Sequence, residues 1–285
     1  MGTLPEPNRP FRWNVPTAQL GSLLDGVPEP DLWFADELVP CAAKLLARSQ
    51  GGDLHFVGRS LDSVHDLLTG ALQGTSAASR LHTLPISIRW LGVEPLAPHE
   101  LAQLRANMTA AGLAPAALAR RRTPVVFTDI VASGGTYENI HGILRDWIAD
   151  ERGQWDVIRH KLRYLGVTIR EHTSPNTHRW QQHAAWTREL PARAIANVSL
   201  GFDVSVYFSN GQPKTSLSFS RPLWQDEQVA TPGRSEERLT ALAEAVAVTE
   251  LGARKATREA IARLLSREPS FAEPWLRSLA LELRR

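Results

Sequence analysis

The sequence predicts an α/β protein built on a parallel sheet with helices on both faces. Three observations carry that expectation. Short apolar strands alternate with segments of helical period between residues 50 and 150. The most apolar run, PVVFTDIV at 124–131, reads as a strand buried on both faces, which is the mark of a parallel sheet. Strand, tight loop and helix are complete within 53–72, the first half of a β-α-β unit.

Taken in order, residues 1–16 contain four prolines, which remove backbone donors and bias their predecessors away from helix, so an extended surface arm is expected. From Thr17 to Ser49 the spacing of Leu20, Leu23, Leu24, Leu38, Leu45 and Leu46 is helical, with Pro40 dividing or kinking the segment. Gly51-Gly52 stops it, and DLHFVG (53–58) reads as a strand. Leu61, Val64, Leu67, Leu68 and Leu72 then give a helix over 60–72 capped by Ser60. PISIRW (85–90) reads as the next strand, 98–112 as a helix, and 124–131 as the central strand, followed by ASGGT and a helix to Asp150.

Beyond Gly153 a helix running into a strand is expected over 154–170, and a helix over 176–189. The alternation of Phe202, Val204, Val206 and Phe208 around Asn210-Gly211 predicts a β-hairpin. The last fifty residues read as two helices separated near Pro269–Pro274. This divides the chain into an N-terminal arm and helices (1–50), an α/β core (51–153) and a C-terminal α+β region (154–285) that completes the sheet.

Of the 285 residues, 43% are hydrophobic and 22% charged, the balance of a folded globular chain. Thirty-two basic against thirty acidic residues leave a formal charge of +2, so a general nucleic-acid binder is not indicated. No apolar run reaches the roughly 18 residues of a membrane span. Cys41 is the single cysteine, which excludes an intramolecular disulfide and makes a reducing, cytoplasmic compartment the expectation. His172, His178 and His183 cluster, but 172 and 178 do not share a helical face and no carboxylate sits at ligand spacing.

VVFTDIVASGGT (125–136) carries the chemistry. A buried strand delivers Asp129 near its end, and Ser133-Gly134-Gly135-Thr136 opens the next helix. Glycines there let backbone N–H groups approach an anion, helped by the positive end of the helix dipole. A phosphate cradle with a carboxylate just upstream suits a sugar phosphate. The lesser alternative for Asp129 is a strand-end carboxylate capping a neighbouring turn.

This order of elements resembles the 5-phosphoribosyl-1-pyrophosphate (PRPP) motif of the type I phosphoribosyltransferases: an apolar run, two acids, then a Thr-Gly-Gly-Thr loop or close variant. Val125–Phe127 match the apolar run, Thr128 and Asp129 the acidic pair, and Ala132 to Thr136 the phosphate loop, with Thr128 departing from the pattern. Gly58, Arg59 and Ser60 match the loop that meets pyrophosphate in that family, where Arg59 would offer a charged fork. Outside the resemblance, Arg59 reads as a solvated helix-start side chain. The resemblance covers 50–150 and implies a type I phosphoribosyltransferase-like fold, with the N-terminal arm and the region after 153 hooding an acceptor.

It further implies transfer of 5-phosphoribosyl from PRPP to an unidentified small-molecule acceptor, with Asp129 catalytic, Mg2+ carried on PRPP, and no nucleic-acid or membrane partner. A homodimer is compatible with this. Arg89 and Lys214 are further candidates: Arg89 reads equally as a solvated or acid-paired charge, and the segment 211–222 that carries Lys214 and Arg221 reads as a solvated turn or as a lid or acceptor-facing element. The alternatives are a PRPP- or nucleotide-sensing protein without turnover, and a hydrolase or phosphorylase of a ribose 5-phosphate compound.

Overall fold

A computed structural model describes residues 4–13, 20–88 and 95–285. Its centre is a five-stranded, all-parallel sheet of order β2-β1-β3-β4-β5. In chain order the elements are α1 (Ala35–Arg48), β1 (Asp53–Val57), α2 (Asp62–Ala71), β2 (Leu81–Leu84), α3 (Pro98–Ala110), α4 (Pro115–Arg120) and β3 (Val125–Ile130). They continue with α5 (Gly135–Asp150), α6 (Trp155–Ile158), β4 (Leu162–Ile169), β5 (Ile195–Leu200), α7 (Phe202–Val206), α8 (Glu236–Ala253), α9 (Lys255–Leu265) and α10 (Pro274–Glu282).

The period-two alternation of the strands builds two cores. Leu54, Phe56, Val126 and Leu165 face one side and pack with Leu38 and Leu45 of α1, Leu67 of α2, Ile261 of α9 and Leu276 of α10. Val57, Val125, Phe127 and Tyr164 face the other and pack with Leu104 of α3, Leu118 of α4 and Leu144 and Trp147 of α5. A sheet covered on both faces explains why the central strand is almost uniformly apolar. Two glycines let α2 and α8 meet backbone to backbone: a Cβ at Gly70 would lie 1.9 Å from the Thr249 carbonyl, and one at Gly252 would lie 2.1 Å from that of Leu67. Among the described residues no helix is long and apolar enough to cross a membrane.

Several expectations are corrected. The second strand is LHTL at 81–84, not 85–90: as the edge strand it is only half covered and needs little apolar content, while Ile86 and Ile88 are drawn into the second core. Ile86 keeps a single bridge to Phe219, and residues 89–90 lie outside the described residues. The hairpin at Asn210-Gly211 is absent, replaced by α7 and a π-helical turn over Tyr207–Gly211. Val204 and Phe208 are four apart, a spacing that serves a helix face as well as a strand, and the Phe34, Tyr207 and Phe208 rings pack together to favour the helical choice.

Residues 176–189 form two short 3-10 turns, not one helix, and β5 follows where no strand was expected. The last fifty residues hold three helices, the additional break falling at Arg254. The helix before β1 starts only at Ala35 and runs through Pro40. Ser60 does not cap α2, whose N-cap is Leu61.

Candidate functional site at the strand-order switch

The chain steps from β1 outward to β2, then back across β1 to β3 and onward, so the strand order reverses between β1 and β3. α2 covers one face, whereas α3 and α5 cover the other, and the connections after β1 and β3 therefore diverge. A crevice at the carboxyl ends of two such strands is where open α/β sheets place ligands. Gly58–Ser60 follows β1 and Val131–Gly134 follows β3, so the two loops singled out in the sequence meet at this point. Their direct link is a short hydrogen bond from the Ser60 hydroxyl to Asp129 Oδ1, between residues 69 positions apart.

Asp129 is buried, and the same oxygen accepts the Ile130 N–H at 2.8 Å. Thr128, by contrast, is completely buried in the row Phe56–Thr128–Leu165 on the opposite face, its hydroxyl directed at the Val126 carbonyl 3.4 Å away. An acid at 128 would have to be buried among apolar side chains, which is costly for a charge. The threonine is thus the residue this core accepts, while Asp129, its neighbour in β3, meets the Ser60 hydroxyl.

After Asp129, Ala132 and Ser133 are exposed, Gly134 is buried and Gly135 and Thr136 are half-buried. Gly134 is the N-cap of the 16-residue α5 with φ +87°, a left-handed conformation that glycine adopts without strain. A Cβ there would sit 2.4 Å from Cε3 of Trp180, so the indole of the β4–β5 connection backs the loop. Trp180 is itself fixed by its N–H donating to Asn197 Oδ1 at 2.9 Å. The turn geometry leaves the first N–H groups of α5 at the loop, the arrangement that suits an anion.

Gly58, φ +66°, donates its N–H to the Leu84 carbonyl at 2.8 Å. The half-buried Arg59 sends Nη1 to the Ser216 carbonyl at 2.6 Å, and burial lowers its pKa. Lys214 arrives from the segment after α7: its Nζ donates to the Arg59 carbonyl at 2.9 Å and to Gln212 Oε1 at 2.5 Å. Burial pulls the Lys214 ammonium down to about 8 despite the opposing pull of Asp62. Arg221 lies elsewhere, paired with Glu100, and Arg89 lies outside the described residues. His178 pairs with Glu171 at 3.3 Å.

Sequence reasoning missed the support beneath Lys214. Gln212 donates to Ser63 Oγ at 2.5 Å and to Glu244 Oε1, and the Tyr207 hydroxyl donates to Glu244 Oε2 at 2.5 Å. A glutamate on the apolar stripe of α8, buried at position 244, is the one signal that could have pointed to a buried partner. No family model, curated protein or solved structure matches this chain.

Proposed function

We propose that the crevice binds PRPP and transfers its 5-phosphoribosyl group to a small-molecule acceptor. The supporting observation is the meeting of the two loops, Gly58–Ser60 and Asp129–Thr136, at the strand-order reversal, joined by Ser60 and Asp129. In this reading the N–H groups at Gly134–Thr136 cradle the 5-phosphate, Asp129 accepts hydrogen bonds from ribose hydroxyls, and Arg59 and Lys214 face the pyrophosphate. The C1–O bond to pyrophosphate breaks with its electron pair leaving on oxygen, the acceptor lone pair forms the new bond at C1, and the acceptor loses a proton.

Such a transfer develops positive charge on the ribose, so a carboxylate fixed beside it stabilises the transition state more than the ground state. Magnesium, when bound, would supply neutralisation of the pyrophosphate charge. Asp129, at the end of β3 beside the Ser60 loop, would be the carboxylate to meet an ion carried in on the substrate.

Calorimetry with PRPP and Mg2+, followed by a pyrophosphate-release assay with a metabolite pool, tests the reading. Asp129→Asn should retain most PRPP affinity and lose turnover. Absence of PRPP binding by the folded wild-type protein would overturn it. Binding without pyrophosphate release would favour a sensing protein, a reading to which the single acid gives some support.

A further inference from the structure

Because all five strands run parallel, the segments that enter them gather at the end of the sheet opposite the crevice. Those segments, residues 49–52, 78–80, 121–124, 159–161 and 191–194, carry Arg80, Arg121, Arg122, Arg159, Lys161 and Arg193 and not one Asp or Glu. Arg121 is paired with Asp53 and Arg159 with Asp156. The whole chain is nearly neutral, with 32 basic against 30 acidic residues, so the positive end results from placement and not from composition.

Arg163, the second residue of β4, stands out at this end. It is only 7% exposed, yet among the described residues it forms no ion pair with a carboxylate. Neutral acceptors hold its guanidinium: Nε donates to Gln50 Oε1 at 3.2 Å, and Nη1 donates to the carbonyls of His160 at 3.1 Å and Leu162 at 2.7 Å. Nη2 makes no hydrogen bond and is not sealed from solvent. Burial and the neighbouring charge of Arg193 both lower the Arg163 pKa, and no carboxylate opposes them. Arg193 is itself exposed and, among the described residues, in no ion pair. Gln50 joins the two, since its Nε2 donates to the Arg193 carbonyl at 3.2 Å while its Oε1 takes Arg163 Nε. To do so it adopts φ +55°, a left-handed conformation uncommon outside glycine. Buried charges are almost always paired, so a fixed guanidinium beside a second one, with no counter-charge, marks a place where an anion belongs.

We propose that Arg163 and Arg193 form a binding site for a phosphate dianion, free or as a phosphomonoester, which accepts hydrogen bonds from Arg163 Nη2 and from the Arg193 guanidinium. Two uncompensated positive charges are balanced by a dianion and only half balanced by a carboxylate. Guanidinium N–H groups match phosphate oxygens in geometry, and the hydrogen bonds to the charged group are stronger than neutral ones. Arg163 is already oriented by its three protein acceptors, so little side-chain freedom is lost when the anion arrives. The acid-free segments around it add a positive field that draws an anion to this end of the sheet. The site stands independently of the phosphoribosyl reading, since it lies at the opposite ends of the strands and shares no residue with the crevice.

Phenyl phosphate and inorganic phosphate are the probes, titrated separately into the full chain at constant ionic strength with acetate as the monoanionic control. The side-chain Nε–H signals of Arg163 and Arg193 are followed by NMR, which reads this site apart from any phosphate held in the crevice. Both signals should shift saturably with phosphate, and acetate should bind about tenfold or more weakly. Tighter binding of phenyl phosphate assigns the site to a phosphomonoester, and tighter binding of inorganic phosphate assigns it to the free ion. Arg193→Gln, at an exposed position, should weaken phosphate about tenfold, the equivalent of about 1.4 kcal/mol. Arg163→Gln should do the same. Should that variant fail to fold, Gln50→Gly suits the left-handed backbone, releases the Arg163 guanidinium from its anchor and should weaken phosphate severalfold. Arg193→Gln should leave PRPP binding unchanged, and Asp129→Asn should leave the Arg163 shifts unchanged, so failure of this site and failure of the crevice reading are distinguished. Arginine signals unmoved by phosphate, acetate binding as well as phosphate, or unchanged affinity in folded Arg193→Gln and Gln50→Gly would each overturn the proposal.

Discussion

His55 gives a quantitative handle on the fold through acid titration. It sits on β1 with its ring between His82 and Phe127, and burial together with the nearby His82 lowers its pKa to about 3. In the unfolded chain an imidazole titrates near 6.5, so between pH 6.5 and pH 3 the unfolded state binds a proton that the folded state refuses. Stability is therefore full above pH 6.5 and falls as the pH drops, at up to about 1.4 kcal/mol per pH unit for this one group. From pH 7 to pH 5 the loss amounts to about 2 kcal/mol.

Carboxylates and the other depressed histidines, His82 and His141, add their own pH dependence, so the measurement is a difference. Urea denaturation of wild type and His55→Phe at pH 7 and pH 5 isolates it, because phenylalanine keeps an aromatic ring in the slot and cannot protonate. The wild type should lose about 2 kcal/mol more than the variant over that interval. Parallel losses in the two proteins would refute the assignment of His55 as a buried neutral imidazole.

Gly134→Ala should destabilise the fold by about 2 to 4 kcal/mol, combining the left-handed backbone penalty with displacement of Trp180, and thermal melts check this. Thr136→Ala, which touches neither, should instead leave stability near wild type and weaken PRPP binding by about 1 to 3 kcal/mol in calorimetry. Because the Lys214 ammonium is pulled down to about 8, PRPP affinity should weaken as the pH rises through 8, and Lys214→Met should erase that step. Arg12→Ala leaves the buried Asp66 without its guanidinium and should cost about 1 to 3 kcal/mol at pH 7. Asp66 has its pKa lowered in the fold, so its contribution is present above the unfolded carboxylate pKa and disappears as pH falls; the variant should flatten that acid limb in denaturation curves.

The parts of the fold legible in the sequence are those where local pattern and burial agree. β1, β3, α2 and α5 are apolar or helically spaced stretches bounded by glycine, and all lie at the centre, where both faces demand what the pattern supplies. The edges were less legible. LHTL pairs with β1 although its neighbour PISIRW is more apolar, because an edge position rewards pairing over hydrophobicity. IANVSL concealed β5 because Asn197 and Ser199 interrupt the apolar pattern, yet both are buried and hydrogen-bonded, Asn197 to Trp180 and Ser199 to Asn176. At the site, Asp129 and its loop follow from sequence, whereas the pairing of Ser60 with Asp129 and of Lys214 with the Arg59 carbonyl depends on contacts 69 and 155 residues apart that no local pattern encodes.

The contact at Gly70 and Gly252 sets a mechanical limit on the crevice. Two helices whose main chains touch have no side-chain layer between them to absorb sliding, so α2 and α8 move as one block. α2 begins immediately after the Arg59–Ser60 loop, and α8 carries the Glu244 that anchors Gln212 and, through it, Lys214. The floor and the lysine-bearing wall of the crevice are thereby mounted on one rigid frame, and any opening or closing must come from the opposite wall, the Val131–Gly134 loop and the Trp180 segment behind it. Even an alanine at either glycine would force the helices apart, and its effect would be read at the Ser60–Asp129 link, remote from the substitution.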